Sequence, residues 1–309
     1  MLIGGAAPPT DPEPPRELPP LPERDATTMA MRPDVEPLAT YVVALDGTGD
    51  YTNLNTAAKA AKDRQDVACA IKGIPAPTPR ERVEIRVKPG RHVADMRDLG
   101  TWVSVIATDP TPGSTSLTNS VDGPWSGGTI APGDGVYWEG IDLHDVPGGY
   151  DPKYPAHPSL GGGTLILTHC SFDNRNPGSG GGAWTVGTDV GAGCTVVLHD
   201  VDLVSGRTNQ HGWQANTAPI TLVYSQVRSP KGEVDLWDQG SGQPDEIWVV
   251  GCDVQGVRVQ APNGIQHLDP ATRIGSLGVI SNATTRDTRT DWPIPTGGLS
   301  ARDRARYGM

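Results

Sequence analysis

VYWEGIDL (residues 136–143), LILTHCSF (165–172), VVLHDVDL (196–203), ITLVYSQV (220–227) and IWVVGCDV (247–254) are five copies of one pattern. Each reads apolar, any, apolar, any two, apolar, any, apolar. The third apolar positions, Ile141, Cys170, Val201, Ser225 and Cys252, fall 29, 31, 24 and 27 residues apart. Within a copy, two period-2 pairs are joined by an odd step, so two short strands meet at a bend and turn the same set of side chains inward. One copy therefore reads as one rung.

Strands and turns alone fill each repeat, with Gly, Asn, Pro and Asp between copies, and that pattern predicts a solenoid in which rungs stack on one another. The arrangement resembles the right-handed, single-stranded parallel β-helix of the pectin lyase type, an all-β fold. Stacked strands lie about 4.8 Å apart. The third position then becomes an inward ladder of small and apolar groups. The next residue of each copy, Asp142, Ser171, Asp202, Gln226 and Asp253, forms an outward ladder in which acidic and neutral groups interleave, as a solvated sheet face would.

Upstream, YVVALDGTG (41–49) predicts a strand and a glycine turn. In DYTNLNTAAKAAKDRQ (50–65), Leu54, Ala57, Ala58 and Ala61 recur at helical spacing behind Asn and Thr capping candidates, which predicts a short helix. VEIRVKPGRHV (83–93) alternates until Pro89-Gly90 breaks it, and TWVSVIATDP (101–110) gives a further strand. This order, over roughly residues 41–110, is similar to the opening of pectin methylesterases and related β-helix proteins. The resemblance implies that the helix covers the first open coil, and covering an exposed sheet edge suppresses aggregation. It marks a fold and not an activity.

The division that follows is a proline-rich extended arm over 1–40, a β-helix domain over 41–285 and a tail over 286–309. The arm holds ten prolines and few large apolar groups. It favours extended conformations and cannot form a core, so it either stays a loose tail or lies along a partner, where docking costs little because proline fixes φ in the free chain as well as the bound one. Leu18, Leu21 and Met29–Met31 offer apolar contacts only to another surface. In the tail, Ser300 stands three residues before Asp303, a capping signal for a short basic helix.

Charge and composition exclude some partners. A formal net charge of −11 opposes a nucleic-acid groove, which needs a cationic surface. No run of 18 apolar residues predicts a membrane span, and MLIGGAAPPT has neither the basic start nor the apolar run of a signal peptide. The 19 Arg against 6 Lys suggest a GC-rich source. Cys69, Cys170, Cys194 and Cys252 show no CxxC spacing. Cys170 and Cys252 share the inward column with two rungs between them, so unpaired thiols are expected.

GEVDLWDQG (232–240) is similar to the GTVDFIFG stretch of pectin methylesterases, and by that resemblance Asp235 takes the nucleophile's place. Such chemistry needs a second carboxyl as acid and base. The family carries it in QDTLY one coil earlier, where this chain has RTNQHGWQ (207–214), and the GRPW-like segment with the family's arginine is missing as well. No catalytic set is assigned, and Asp235 stands as the lone candidate. No cofactor is expected; lyases of this fold bind calcium with carboxylates, and that resemblance implies a sugar groove or a calcium site as the other use of the acidic outward column.

Trp184, Trp213 and Trp237 stand beside His211, Gln214, Asp235 and Asp238. Indole faces next to hydrogen-bonding groups suit sugar rings or a protein neighbour, which marks His211, Trp213, Trp237 and Asp238 as candidates for glycan or partner binding. A solenoid with a partner-seeking arm and an incomplete esterase site looks like a minor tail or tail-tip protein of a bacteriophage. That resemblance implies a virion location, other phage tail proteins as partners, a homo-oligomer such as a trimer, and host-surface polysaccharide as a contact. The alternative is a carbohydrate-active enzyme, a polysaccharide esterase or lyase.

Overall fold

The computed structural model describes residues 33, 35–94, 101–119, 135–144, 163–174 and 194–205, together with the strands named below as far as Arg286. Side-chain surroundings are described for stretches up to Val201, and from there on the backbone pairing alone. The proline-rich residues 1–32, Trp184, Asp238 and the tail beyond residue 286 lie outside the described residues.

The described strands form three sheets, and every strand pair described in them is parallel. The first has ten strands: Ala39–Val43, Val83–Val87, Val103–Ala107, Val136–Glu139, Gly163–Thr168, Cys194–His199, Ile220–Val223, Glu246–Val250, Ile265–Leu268 and Thr284–Arg286. The second has eight: Gly90–Ala94, Thr115–Asn119, Asp142–His144, Ser171–Asn174, Asp202–Ser205, Gln226–Arg228, Asp253–Gln255 and Arg273–Ile274. The third has six: Ser159–Leu160, Val186–Val190, Gln210–Ala215, Val234–Trp237, Val257–Gln260 and Val279–Ser281. From Val136 onward the chain visits first, second and third sheet in rotation. Each return pairs with the strand laid down one circuit earlier.

The columns of the repeat stand in register. Trp138, Leu167, Leu198, Leu222 and Val249 share one row of the first sheet. Leu143, Phe172, Leu203, Val227 and Val254 share one row of the second. At the bend between them, Ile141, Cys170 and Val201 are at most 2% exposed. The bend itself is left-handed, at Gly140 (φ 70°), His169 (φ 50°) and Asp200 (φ 50°). Gly140 donates to the Thr168 carbonyl at 2.9 Å and His169 to the His199 carbonyl at 3.0 Å, so each bend is tied to the next circuit. Glycine takes this conformation without strain, and His and Asp are among the few other residues that enter it readily.

One α-helix, α1 (Leu54–Lys72), packs against the strands at which the first two sheets begin. Asn53 caps it by accepting from the amides of Asn55 and Thr56. At 19 residues α1 is longer than the short helix its opening predicts. The buried stripe continues past Ala61 through Gln65, Ala68 and Cys69, and nothing breaks it until Gly73 takes a left-handed cap. Gln65 is 3% exposed, and its amide donates to the carbonyls of Glu81, Thr101 and Trp102. Those carbonyls precede strands Val83–Val87 and Val103–Ala107, so one side chain satisfies strand ends on two circuits.

The edge strand Ala39–Val43 is closed at the C-terminal end of its free side by the turn that follows it. Asp50 and Tyr51 amides donate to the Val42 carbonyl, Tyr51 accepts from Ala44, and the Asp50 carboxylate takes the Val42 amide at 2.7 Å. A Cβ at Gly49 would meet the Val42 oxygen at 2.6 Å, so the turn can lie this close only with glycine there. At Val42 and Ala44 the edge is thus already paired and offers no free ladder position to another chain.

Both faces of the first sheet are buried over its central strands. Val105, Trp138 and Leu167 pack on one face. On the other, the row Ile106, Glu139, Thr168, His199 and the row Ser104, Tyr137, Ile166 are at most 2% exposed. Glu139 accepts from the Tyr137 hydroxyl at 2.8 Å. Near the start of the sheet, Glu84 is held between Arg86 (2.6 Å) and Arg82 (3.4 Å), and Arg82 also reaches Ser104 and the Val35 carbonyl. A buried carboxylate survives only with such partners.

Candidate functional site

The third sheet brings together most of the residues that the sequence marks as binding candidates. Strand Gln210–Ala215 pairs with Val234–Trp237, and that strand pairs with Val257–Gln260. His211 stands opposite Asp235, and Asp235 stands opposite Arg258, so three charged or titratable residues occupy one row on neighbouring strands. With strands about 4.8 Å apart, the row spans about 10 Å from first to third. A second row runs Gln214, Trp237, Gln260, Ser281.

The pairing slips between His211 and Trp213, where the first strand advances two residues and its neighbour one. Gly212 is the extra residue of this bulge. Regular alternation would leave His211 and Trp213 on one face, but the slip puts Trp213 in the row of Val186, Leu236, Val259 and Ile280. By period-2 alternation Asp235 and Trp237 share one face of the sheet, and Leu236 takes the other. The candidates therefore divide. His211 and Trp237 share a face with Asp235, Trp213 belongs to the apolar row, and Asp238 and Trp184 lie outside the described residues.

The sequence does not single out three members of the site, Arg258, Gln260 and Ser281. VRVQ (257–260) predicts a strand, but nothing in it shows that Arg258 and Gln260 fall opposite Asp235 and Trp237. Only the length of the connection between strands sets that register. RTNQHGWQ offers no carboxylate, yet it sets His211 at the register position opposite Asp235.

No family model, curated protein or solved structure matches this chain. The chemistry of its residues is therefore the guide to the remaining candidates.

The outward ladder holds its register from Ser116 through Asp142, Ser171, Asp202, Gln226 and Asp253 to Arg273. At Asp142 it is not solvated. Asp142 is 6% exposed, and its carboxylate accepts from the Gly113 amide and the Ser171 hydroxyl. The turn at 111–114 covers it, a contact between segments 29 residues apart that alternation cannot show. Among the described residues, no three His, Cys, Asp or Glu side chains converge as metal ligands, and no helix is long and apolar enough to cross a membrane.

Next to the bend, His169 and His199 rings lie edge to face with centroids 5.5 Å apart, and His169 Nδ1 meets the Asp200 carboxylate. Their slots in the repeat are offset by one, as the sequence indicates, but the left-handed bend at His169 brings the rings into contact. Cys69 and Cys170 are buried and unpaired. Burial pushes the Cys170 thiol up to about 12, with the nearby Asp142 and Glu139 charges adding to the shift and its contacts at Ile141 and Thr168 opposing it. Such a thiol is inert packing and not a nucleophile.

Proposed function

We propose that the chain is a structural component of a bacteriophage tail, a minor tail or tail-tip protein, built as a right-handed parallel β-helix. The observation that carries the reading is the rotation of the chain through three all-parallel sheets, with the repeat columns in register. Stacking of this kind makes a stiff rod whose length grows with the number of circuits. The capping helix and the filled edge close the start of the rod. On this reading the proline-rich arm fastens the rod to other tail proteins in a homotrimer, the protein resides in the virion, and the third sheet meets host-surface polysaccharide.

The test is copurification. The protein should be found by mass spectrometry in particles purified through a density gradient, and its absence from them would sink the reading. Deleting residues 1–32 stops short of Val35 and Leu38, both bonded to Arg82. It should leave the melting transition unchanged and abolish incorporation into particles.

A second reading, a polysaccharide esterase or lyase, gains from the register of His211 against Asp235, because an imidazole can serve as general acid and base where a carboxyl is missing. Under the structural reading, purified protein releases no methanol and no unsaturated product from methylated or acidic polysaccharides. Release abolished by Asp235→Ala would establish the enzyme instead.

A further inference from the structure

We infer that the polar face of the third sheet, centred on Trp237, is a binding site for an uncharged saccharide. The inference rests on the reading of a tail protein that meets host glycans, and it specifies their chemistry. Trp237 stands in register between Gln214 on one neighbouring strand and Gln260 on the other, with Ser281 completing the row. A flat indole suits the apolar C–H face of a pyranose ring, and carboxamides both donate and accept, as pairs of sugar hydroxyls require.

Charge decides the class. The adjoining row His211, Asp235, Arg258, Val279 sets Asp235 between the two basic residues, so with neutral imidazole its formal charge is zero. It offers polar groups without a net field. The whole chain carries −11, which repels a polyanionic glycan at long range, and the two rows hold only one acidic residue for a cationic ligand. A protein partner would need a wider apolar centre than one aromatic in a polar row. Trp213, moved to the apolar row by the bulge, lies outside the site.

The experiment is isothermal titration of the full-length protein with cellohexaose, maltohexaose, β-1,4-galactohexaose and β-1,4-mannohexaose, with hexagalacturonate as the anionic probe, at low and high salt. At least one neutral hexasaccharide should bind, with affinity unchanged by salt. Trp237→Ala should weaken it at least about tenfold, equivalent to about 1.4 kcal/mol, while Trp237→Phe retains most of it. Gln214→Ala and Gln260→Ala should each weaken binding, and they carry the test if Trp237→Ala does not fold. Binding of hexagalacturonate alone, binding of none of the probes, or full binding by a folded Trp237→Ala variant would overturn the inference. Virion copurification is measured separately, so a protein present in particles that binds none of the probes refutes this site and leaves the tail reading standing.

Discussion

The first and third sheets have the same parallel pairing and are visited by the same circuits, yet their strands are written differently. Strands of the first sheet, such as VSVIA, VYWE and TLILT, are largely apolar at both alternations, and over the central strands both faces are buried. Strands of the third, VDLW and VRVQ, alternate, and their rows sort into an apolar set and a set holding His211, Asp235, Arg258, Gln214, Trp237 and Gln260. A sheet covered on both sides needs apolar residues at both alternations, whereas one with a single packed side can vary the other. The third sheet's rows carry the polar half of an alternating pattern that the central strands of the first sheet lack.

The largest contrast is expected from a charge placed in the buried row of the first sheet that holds Ile166 and in the polar row of the third. Ile166→Asp buries an unpaired carboxylate at a position that is fully buried, and it should cost about 3 kcal/mol or more, enough to unfold a marginal protein. Val279→Asp, in the polar row of the third sheet, should cost less than about 1 kcal/mol. Equal costs in urea denaturation would show that the two faces do not differ.

Next in size is the link between the helix and the first two circuits. Gln65→Ala removes this donor from the Glu81 and Thr101 carbonyls, while the Trp102 carbonyl keeps its bond from the Val83 amide, and should lower stability by about 1–3 kcal/mol, with Gln65→Glu no better because a carboxylate cannot donate. A melting temperature unchanged in Gln65→Ala would mean that water replaces the amide at no cost.

The Cys170 thiol reports burial at the bend between the first two sheets. Its folded pKa is raised to about 12, above the ordinary thiol value of about 8.5. The unfolded chain therefore loses this proton first as pH rises. The stability tied to the thiol is complete below about pH 8.5 and is lost progressively as pH climbs toward the folded value. Native protein at pH 9 should resist iodoacetamide at Cys170, and rapid alkylation there would contradict burial between the first two sheets.

The smallest effect belongs to Lys72 and Glu81, which pair at 2.6 Å. Burial raises the Glu81 pKa, but its bonds to Lys72 and Thr78 together outweigh that and hold it below the usual carboxylate value. Its contribution is present above the unfolded pKa and disappears as pH falls through the lower folded one. Because Lys72 is half exposed, Lys72→Ala should cost no more than about 1 kcal/mol at pH 7, less at high salt. A larger loss would place the pair in the core of the first circuit.

The spacing of the five copies by itself determined which residues stack, because side-chain period and bend position are local properties of a strand. The same holds for the Asn53 cap and the break at Pro89-Gly90. Tertiary structure alone decided the rest. The Gly113 turn covers Asp142, the outer face of the first sheet is buried, and the slip at Gly212 sends Trp213 to the apolar row while His211 stays opposite Asp235. Each depends on how many residues the chain spends between strands, and so on which strands meet and in what register. A one-residue slip changes the face of every side chain beyond it, while the sequence on either side reads the same.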